Sequence, residues 1–199
     1  MTNRELPWEA YFRRVMFQPH CPLIELAASL NTEHPHVAID CGCGTGSAIA
    51  YLAGRGYQVH AFDAHDKAVQ ACTERFLGNP KVNISEATFE NYTYPSANLV
   101  IANSSLFFCE PTAFDAVWNR IATALAIGGI FCGDFMGDKD SWAGDPTRTQ
   151  TVMTSDRVAM LFSQFDILKW VERDELGMTA LGQSKHWHTF TVVARKLSQ

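Results

Sequence analysis

Ala38-Ile39-Asp40-Cys41-Gly42-Cys43-Gly44-Thr45-Gly46 is the stretch on which the fold turns. An apolar run ends on an acid, and three glycines follow at alternate positions. His36 to Asp40 has the length and apolar character of a buried parallel strand. Ser47 to Arg55 places Ile49, Leu52 and Ala53 at helical spacing until Gly54 and Gly56 stop it. Glycines at such a strand-to-helix turn let a ligand approach the backbone, and the helix start offers free N–H groups. Working outward, the same alternation repeats. Gln58 to Asp63 reads as a second strand and Asp66 to Leu77 as a second helix. Val82 to Ala87 and Ala97 to Leu106 are further strands, and Pro111 to Ala126 is a helix. Ile130 to Phe135 is a fifth strand. Repeated strand–helix units of this length predict a parallel sheet with helices on both faces.

Beyond Phe135 the pattern changes. Met136 to Met153 is polar, contains Gly and Pro, and is expected to be a long loop carrying Trp142. Asp156 to Phe165 reads as a last helix. Phe165 to Arg173 and His186 to Lys196 read as two strands joined by a short connection, hence an antiparallel hairpin. Trp8 to Val15 and Cys21 to Leu30 are expected to be helical. The expected organisation is one domain over 1–199: a helical cap (1–35), a cofactor-binding half (36–135), and a substrate-side loop with the C-terminal hairpin (136–199).

Composition narrows the function classes. Hydrophobic residues make up 47% of the chain, which excludes wholesale disorder. The net charge of −5 and the lack of a basic stripe argue against a nucleic-acid partner. No apolar run approaches the roughly 18–20 residues of a membrane span, and Met1 to Trp8 lacks a signal-peptide core. A cytoplasmic protein without a membrane partner is expected, as a monomer or homodimer. Six cysteines fit neither a zinc frame nor a secreted disulfide pattern, so Cys41 and Cys43 read as spacers in the glycine loop. His186 and His188 share a strand face, but no third ligand is suitably spaced, so no metal is expected.

The dinucleotide fingerprint G-x-G-x-x-G does not fit, because its third small residue would fall on Ser47 or Ile49. A P-loop is excluded, since no Lys-Ser/Thr pair follows Gly46. What remains is acid-x-G-x-G-x-G, with Asp63 at the end of the second strand, where a carboxylate can take both hydroxyls of a ribose. On these residues the chain resembles the class I S-adenosylmethionine-dependent methyltransferases, and more distantly their small tellurite-resistance and thiopurine-like types. Ser85-Glu86-Ala87-Thr88-Phe89 resembles that family's adenine-contacting motif, with Glu86 where Asp is usual. Asn98 to Phe108 and Ala126 to Phe131 resemble its fourth motif and the loop before its fifth strand.

The resemblance implies a Rossmann-like, doubly wound, mostly parallel seven-stranded α/β sheet with an antiparallel last strand. It implies S-adenosyl-L-methionine as cofactor, leaving as S-adenosyl-L-homocysteine. Gly42, Gly44 and Gly46 would line the methionine portion, and Asp40 would orient that loop or reach the cofactor's amino group through water. Asp63 would bind the ribose. Glu86 by side chain and Ala87 by backbone N–H would meet the adenine, and Asn103 would face the methionine carboxylate or amine. The chain lacks the Pro-Pro that follows the fourth strand in DNA and protein-amide methyltransferases; Asn103-Ser104-Ser105-Leu106 stands there. A small-molecule acceptor is therefore expected, with Tyr11, Phe107 and Trp142 as candidate acceptor-pocket residues. Acidic Asp174 and Glu175 stand where the tellurite branch would carry basic residues. The alternatives are an NAD(P)-dependent oxidoreductase and a non-catalytic S-adenosylmethionine-binding protein.

Overall fold

The structure, a computed structural model, describes residues 8–145 and 149–198. The N-terminal stretch read for a signal peptide, and part of the long loop, lie outside them. The elements in order are α1 (Trp8–Val15), α2 (Pro22–Leu30), β1 (Val37–Cys41), α3 (Ser47–Gly54), β2 (Gln58–Asp63), α4 (Asp66–Arg75), β3 (Val82–Glu86), β4 (Ala97–Ala102), α5 (Phe114–Ala124), β5 (Leu125–Gly137), β6 (Val152–Met153), α6 (Ser155–Leu161), β7 (Phe165–Met178) and β8 (Ser184–Lys196).

The main sheet runs β3-β2-β1-β4-β5-β8-β7. The first five strands pair in parallel, and β8 enters antiparallel between β5 and β7. This is the expected seven-stranded topology. An eighth, two-residue strand is added: β6 pairs with Met136 and Gly137 of β5, prolonging the ladder that β4 leaves at Gly133.

Period-two alternation divides the apolar residues between two cores. Ile39, Val100, Phe131 and Phe190 face α5 and α6, where Val117, Trp118, Ile121 and Phe162 complete a mainly aromatic layer. Ala38, Leu99, Ile101 and Ile130 face the other way, against Ile24 and Ala27 of α2 and Ile49 and Leu52 of α3. All six residues of β4 are buried, as a central strand covered on both faces must be.

Several boundaries differ from the sequence reading: β4 ends at Ala102 instead of Leu106, and α6 ends at Leu161 instead of Phe165, which opens β7. Pro111 lies outside α5, which begins at Phe114. Strand β5 begins at Leu125, which pairs with Ala97, and runs through Gly128 and Gly129 instead of starting after them. Side-chain room explains these glycines, since a Cβ at Gly129 would lie 2.8 Å from the Asn98 carbonyl oxygen. The hairpin is longer than expected, and β7 and β8 stay paired out to Met178 and Ser184. Cross-strand contacts hold this outer part, with Asp174 bonded to His186 at 2.7 Å and Arg173 lying over the Trp187 ring.

Candidate functional site

A cavity of about 720 Å³ opens at the carboxyl ends of β1, β2 and β4. It sits where the strand order reverses, since β1 has β2 on one side and β4 on the other. Its floor is the glycine loop, and α1 contributes Trp8, Tyr11, Phe12 and Val15 to the wall.

All three glycines have left-handed backbone, with φ of +71°, +52° and +80°, and they differ in the room around them. A Cβ at Gly42 would lie 2.5 Å from the Ser105 Cβ, and one at Gly46 would strike Phe76 and Cys72 of α4. Those two positions are closed by packing. At Gly44, with φ +52°, a Cβ would project into open space. The loop is pinned from behind. Cys72 Sγ donates to the Gly44 carbonyl (3.2 Å), Arg75 Nη1 to the Thr45 carbonyl (2.7 Å), and Ser105 Oγ to the Cys41 carbonyl (2.6 Å). No side chain caps the first N–H groups of α3, whose N-cap is Gly46 in the left-handed region.

Asp63 spans the loop and the next helix. Its Oδ2 accepts the Gly44 N–H and its Oδ1 the His65 N–H, both at 2.9 Å. Each oxygen keeps a second lone pair for a ligand hydroxyl. Burial pushes its carboxyl up, and the His65 and Gly44 bonds oppose that. Behind the loop, Asp40 is 3% exposed and its Oδ2 has no partner among the described residues. Burial, and then the nearby Asp63 charge, push Asp40 up to about 7.

On the far side, Asn103 and Ser104 line the cavity just past β4. Both are tied to a buried acid on β5. Asp134 Oδ2 accepts from the Asn103 side-chain amide, the Ser104 N–H (2.6 Å) and the Ser104 hydroxyl (3.2 Å), while its Oδ1 accepts from Thr191 (2.5 Å). These bonds hold Ser104 at its positive φ of 54°.

The residues singled out from sequence divide. Gly42, Gly44, Asp63, Ala87, Asn103 and Tyr11 line the cavity. Asp40 and Gly46 stand behind it. Glu86 ends β3 on the exposed side and is absent from the lining. Ala87 lines the cavity, but its N–H continues the β2–β3 ladder by donating to the Asp63 carbonyl, so it is not open to a ligand. Phe107 is 4% exposed in the core, and its neighbour Phe108 faces the cavity instead. Trp142 lies outside the lining and packs beside Trp187, with Lys185 Nζ over both rings.

Sequence reasoning missed Glu90, Glu110, Phe12, His65 and Asp134. For Asp134 there was a signal: a lone acid inside the apolar run Ile130 to Phe135.

Glu172, Asp174 and His188 bring ligand atoms within 4.8 Å of one another. The donor set does not suit a metal. His188 Nδ1 accepts the Lys139 N–H at 3.0 Å, so the ring proton sits on Nε2, which points at Glu172.

Residues 38–129 match the family described as a methyltransferase domain. A curated relative, carboxy-S-adenosyl-L-methionine synthase of Shewanella frigidimarina, is 31% identical over 98 residues, covering 46% of this chain and 40% of that protein. The match thus spans well under half the length of that relative. Among solved structures, TehB from Haemophilus influenzae superposes with a TM-score of 0.75 at 15% identity, covering 94% of this chain and 66% of its own. The N-methyltransferase NodS from Bradyrhizobium japonicum, in complex with S-adenosyl-L-homocysteine, superposes with a TM-score of 0.69 at 15% identity, covering 98% and 90%. The sheet is thus that of these methyltransferases.

Proposed function

We infer that this chain, whose residues 38–129 form a methyltransferase domain of the class I S-adenosylmethionine-dependent kind, transfers a methyl group from S-adenosyl-L-methionine to a small molecule. One observation carries the reading: Gly44 opens onto the cavity while Asp63 is held beside it by the same loop's N–H. Together they make a floor that a ligand can approach closely, bounded by a carboxylate with acceptor capacity to spare.

Gly42 and Gly44 take the methionine portion, with Asn103 and Ser104 on the opposite side. Asp63 takes the ribose hydroxyls. The adenine lies toward Ala87, Thr88 and Phe89, held by contact with their side chains and not by the Ala87 N–H. Asp40 and Gly46 support the loop from behind.

When bound, the cofactor supplies an activated methyl group on a sulfonium, so the protein needs little acid–base chemistry. Its residues position and exclude. Asp134 fixes the Asn103–Ser104 turn, and α1 covers the cavity with aromatic rings that keep water away. Holding the reacting atoms in line is where most of the rate is gained. Tyr11, on α1, faces the acceptor.

The relatives' names, an N-methyltransferase and a carboxy-S-adenosyl-L-methionine synthase, support a small-molecule acceptor. The net charge of −5 agrees with the absence of a nucleic-acid partner. Six free thiols support a cytoplasmic setting, and no helix among the described residues is long and apolar enough to cross a membrane. Residues 36–135 serve as the cofactor half of one catalytic unit, with the N-terminal helices and the part beyond 136 completing it. Calorimetry with S-adenosyl-L-homocysteine tests the reading: micromolar or tighter binding is expected, and no binding overturns it.

A further inference from the structure

The walls of the cavity have a distinctive charge and surface. Among the described residues, no Lys or Arg lines it, whereas Asp63, Glu90 and Glu110 do. Two guanidinium groups bond the wall segments through backbone carbonyls and are not in the lining. Arg75 holds the Thr45 carbonyl, and Arg120 holds the carbonyls of Phe89 (3.0 Å) and Glu90 (2.9 Å). Arg120 thus fixes the segment that carries Glu90 without turning its charge to the cavity. Asp134 adds a further buried acid just beneath Asn103.

Glu90 is held in its charged form. Burial would raise its carboxyl, but the Glu110 N–H, at 2.9 Å from Oε1, and a bond from Thr88 outweigh burial and leave it below the usual range. Facing these acids is a cluster of rings. Trp8 packs edge-on to Phe108 with centroids 5.3 Å apart, Tyr11 lies 5.7 Å from both Trp8 and Phe12, and Phe12 lies 5.1 Å from His65. Ring faces and carboxylates together favour a cation, and a carboxylate-lined cleft without fixed cations repels anions.

We propose that the acceptor half of this cavity takes an alkyl or arylalkyl amine, cationic until it reacts, and turns away carboxylates, phosphates and other oxyanions. The inference rests on the methyl-transfer reading and names its substrate class. The amine first gives a proton to water at the cavity mouth. Its lone pair then forms the N–C bond as the S–C bond breaks, the bonding pair stays on sulfur as a thioether, and the new ammonium sheds a proton to solvent. An oxyanion acceptor would bring its charge against Glu90 and Glu110 with no Lys or Arg among the described lining residues to meet it.

The test uses the whole chain saturated with S-adenosyl-L-homocysteine and a matched pair of probes, 2-phenylethylamine and 3-phenylpropionate, titrated by ligand-observed NMR. The amine is expected to bind about tenfold more tightly or better, the equivalent of one charge interaction in a partly wet cleft. Replacing Glu90→Gln and Glu110→Gln together is expected to shrink that preference to about threefold or less. Equal binding, no binding of either probe, or preference for the carboxylate overturns the inference while leaving the methyl-transfer reading intact. A wild-type chain that does not bind S-adenosyl-L-homocysteine overturns that reading and the inference with it.

Discussion

Along the carboxyl edge of the sheet, the cavity end at β1 and β2 and the hairpin end at β8 treat buried polar groups in opposite ways. Toward the cavity, acids are buried with capacity left over. Asp40 Oδ2 has no partner among the described residues, and each Asp63 oxygen uses one N–H. Past the carboxyl end of β5, beside the start of β8, polar groups consume one another. Asp140 is 3% exposed, and its Oδ1 accepts from Lys185 Nζ and the Trp142 N–H (2.9 Å), its Oδ2 from the His188 N–H (3.1 Å). Lys185 is equally buried, its ammonium lying 4.0 Å from the Trp187 ring centroid and 4.4 Å from that of Trp142. Buried polar groups are normally paired, so spare acceptor capacity on a side chain that also lines the cavity, as on Asp63, points to a ligand; the buried Asp40 Oδ2 and the buried Trp187 Nε1 of the hairpin cluster, both without a partner among the described residues, lie outside that lining. That contrast supports our proposal of Asp63 as a binding group and Trp142 as a structural anchor.

Breaking the paired end should cost the most stability. Lys185→Ala leaves Asp140 as an uncompensated buried charge and is expected to cost about 3–5 kcal/mol in urea unfolding. The folded variant should bind S-adenosyl-L-homocysteine within about twofold of wild type, since the cluster lies outside the lining. Asp63→Ala reverses the pattern, weakening that ligand by about 100-fold, or about 2–3 kcal/mol, in calorimetry.

The third prediction sharpens the contrast through pH. Between the ordinary carboxylate range and about pH 7, the folded chain keeps a proton on Asp40 that the unfolded chain has released. Stability therefore falls as pH rises through that window and levels off above it. Asp40→Asn, which mimics the protonated side chain, should remove this fall, gaining about 2 kcal/mol on wild type between pH 5 and pH 8 in urea titrations. The smallest effect is expected from Trp142→Phe, which keeps a ring beside Lys185. It should cost about 1 kcal/mol or less in urea unfolding and leave ligand affinity unchanged. A clear loss of affinity there would return Trp142 to the acceptor pocket.

The glycine-loop half of the fold was legible because its signals are local. Strand, acid, glycines and helix follow within a few residues of one another, and periodicity is enough to place them. The outer hairpin was not legible in full. Asp174, Glu175 and Gly177 have low strand propensity, and what keeps them in β7 is contact with His186 and Trp187 across the ladder. The site was partly legible for a related reason. Position in a motif locates Asp63 and Gly44, but says nothing of which neighbour has already taken a donor. The Ala87 N–H looked available until the β3 register gave it to the Asp63 carbonyl. Phe107 and Phe108 are adjacent in sequence, and only the helical turn after Ser105 decides which of them turns inward.

The placement of β8 has a consequence for how the chain is made. Strand β5 takes β4, made before it, on one side and β8 on the other. Arg195, which closes that second ladder opposite Ile130, follows Gly137 by roughly sixty residues. At ribosomal speeds of about 5–20 residues per second, the nascent sheet carries an apolar open edge at Ile130 to Met136 for about 3–12 s. During that interval the growing chain is most exposed to mispairing with a neighbour on the same polysome, and a trigger-type chaperone would have its clearest reason to bind.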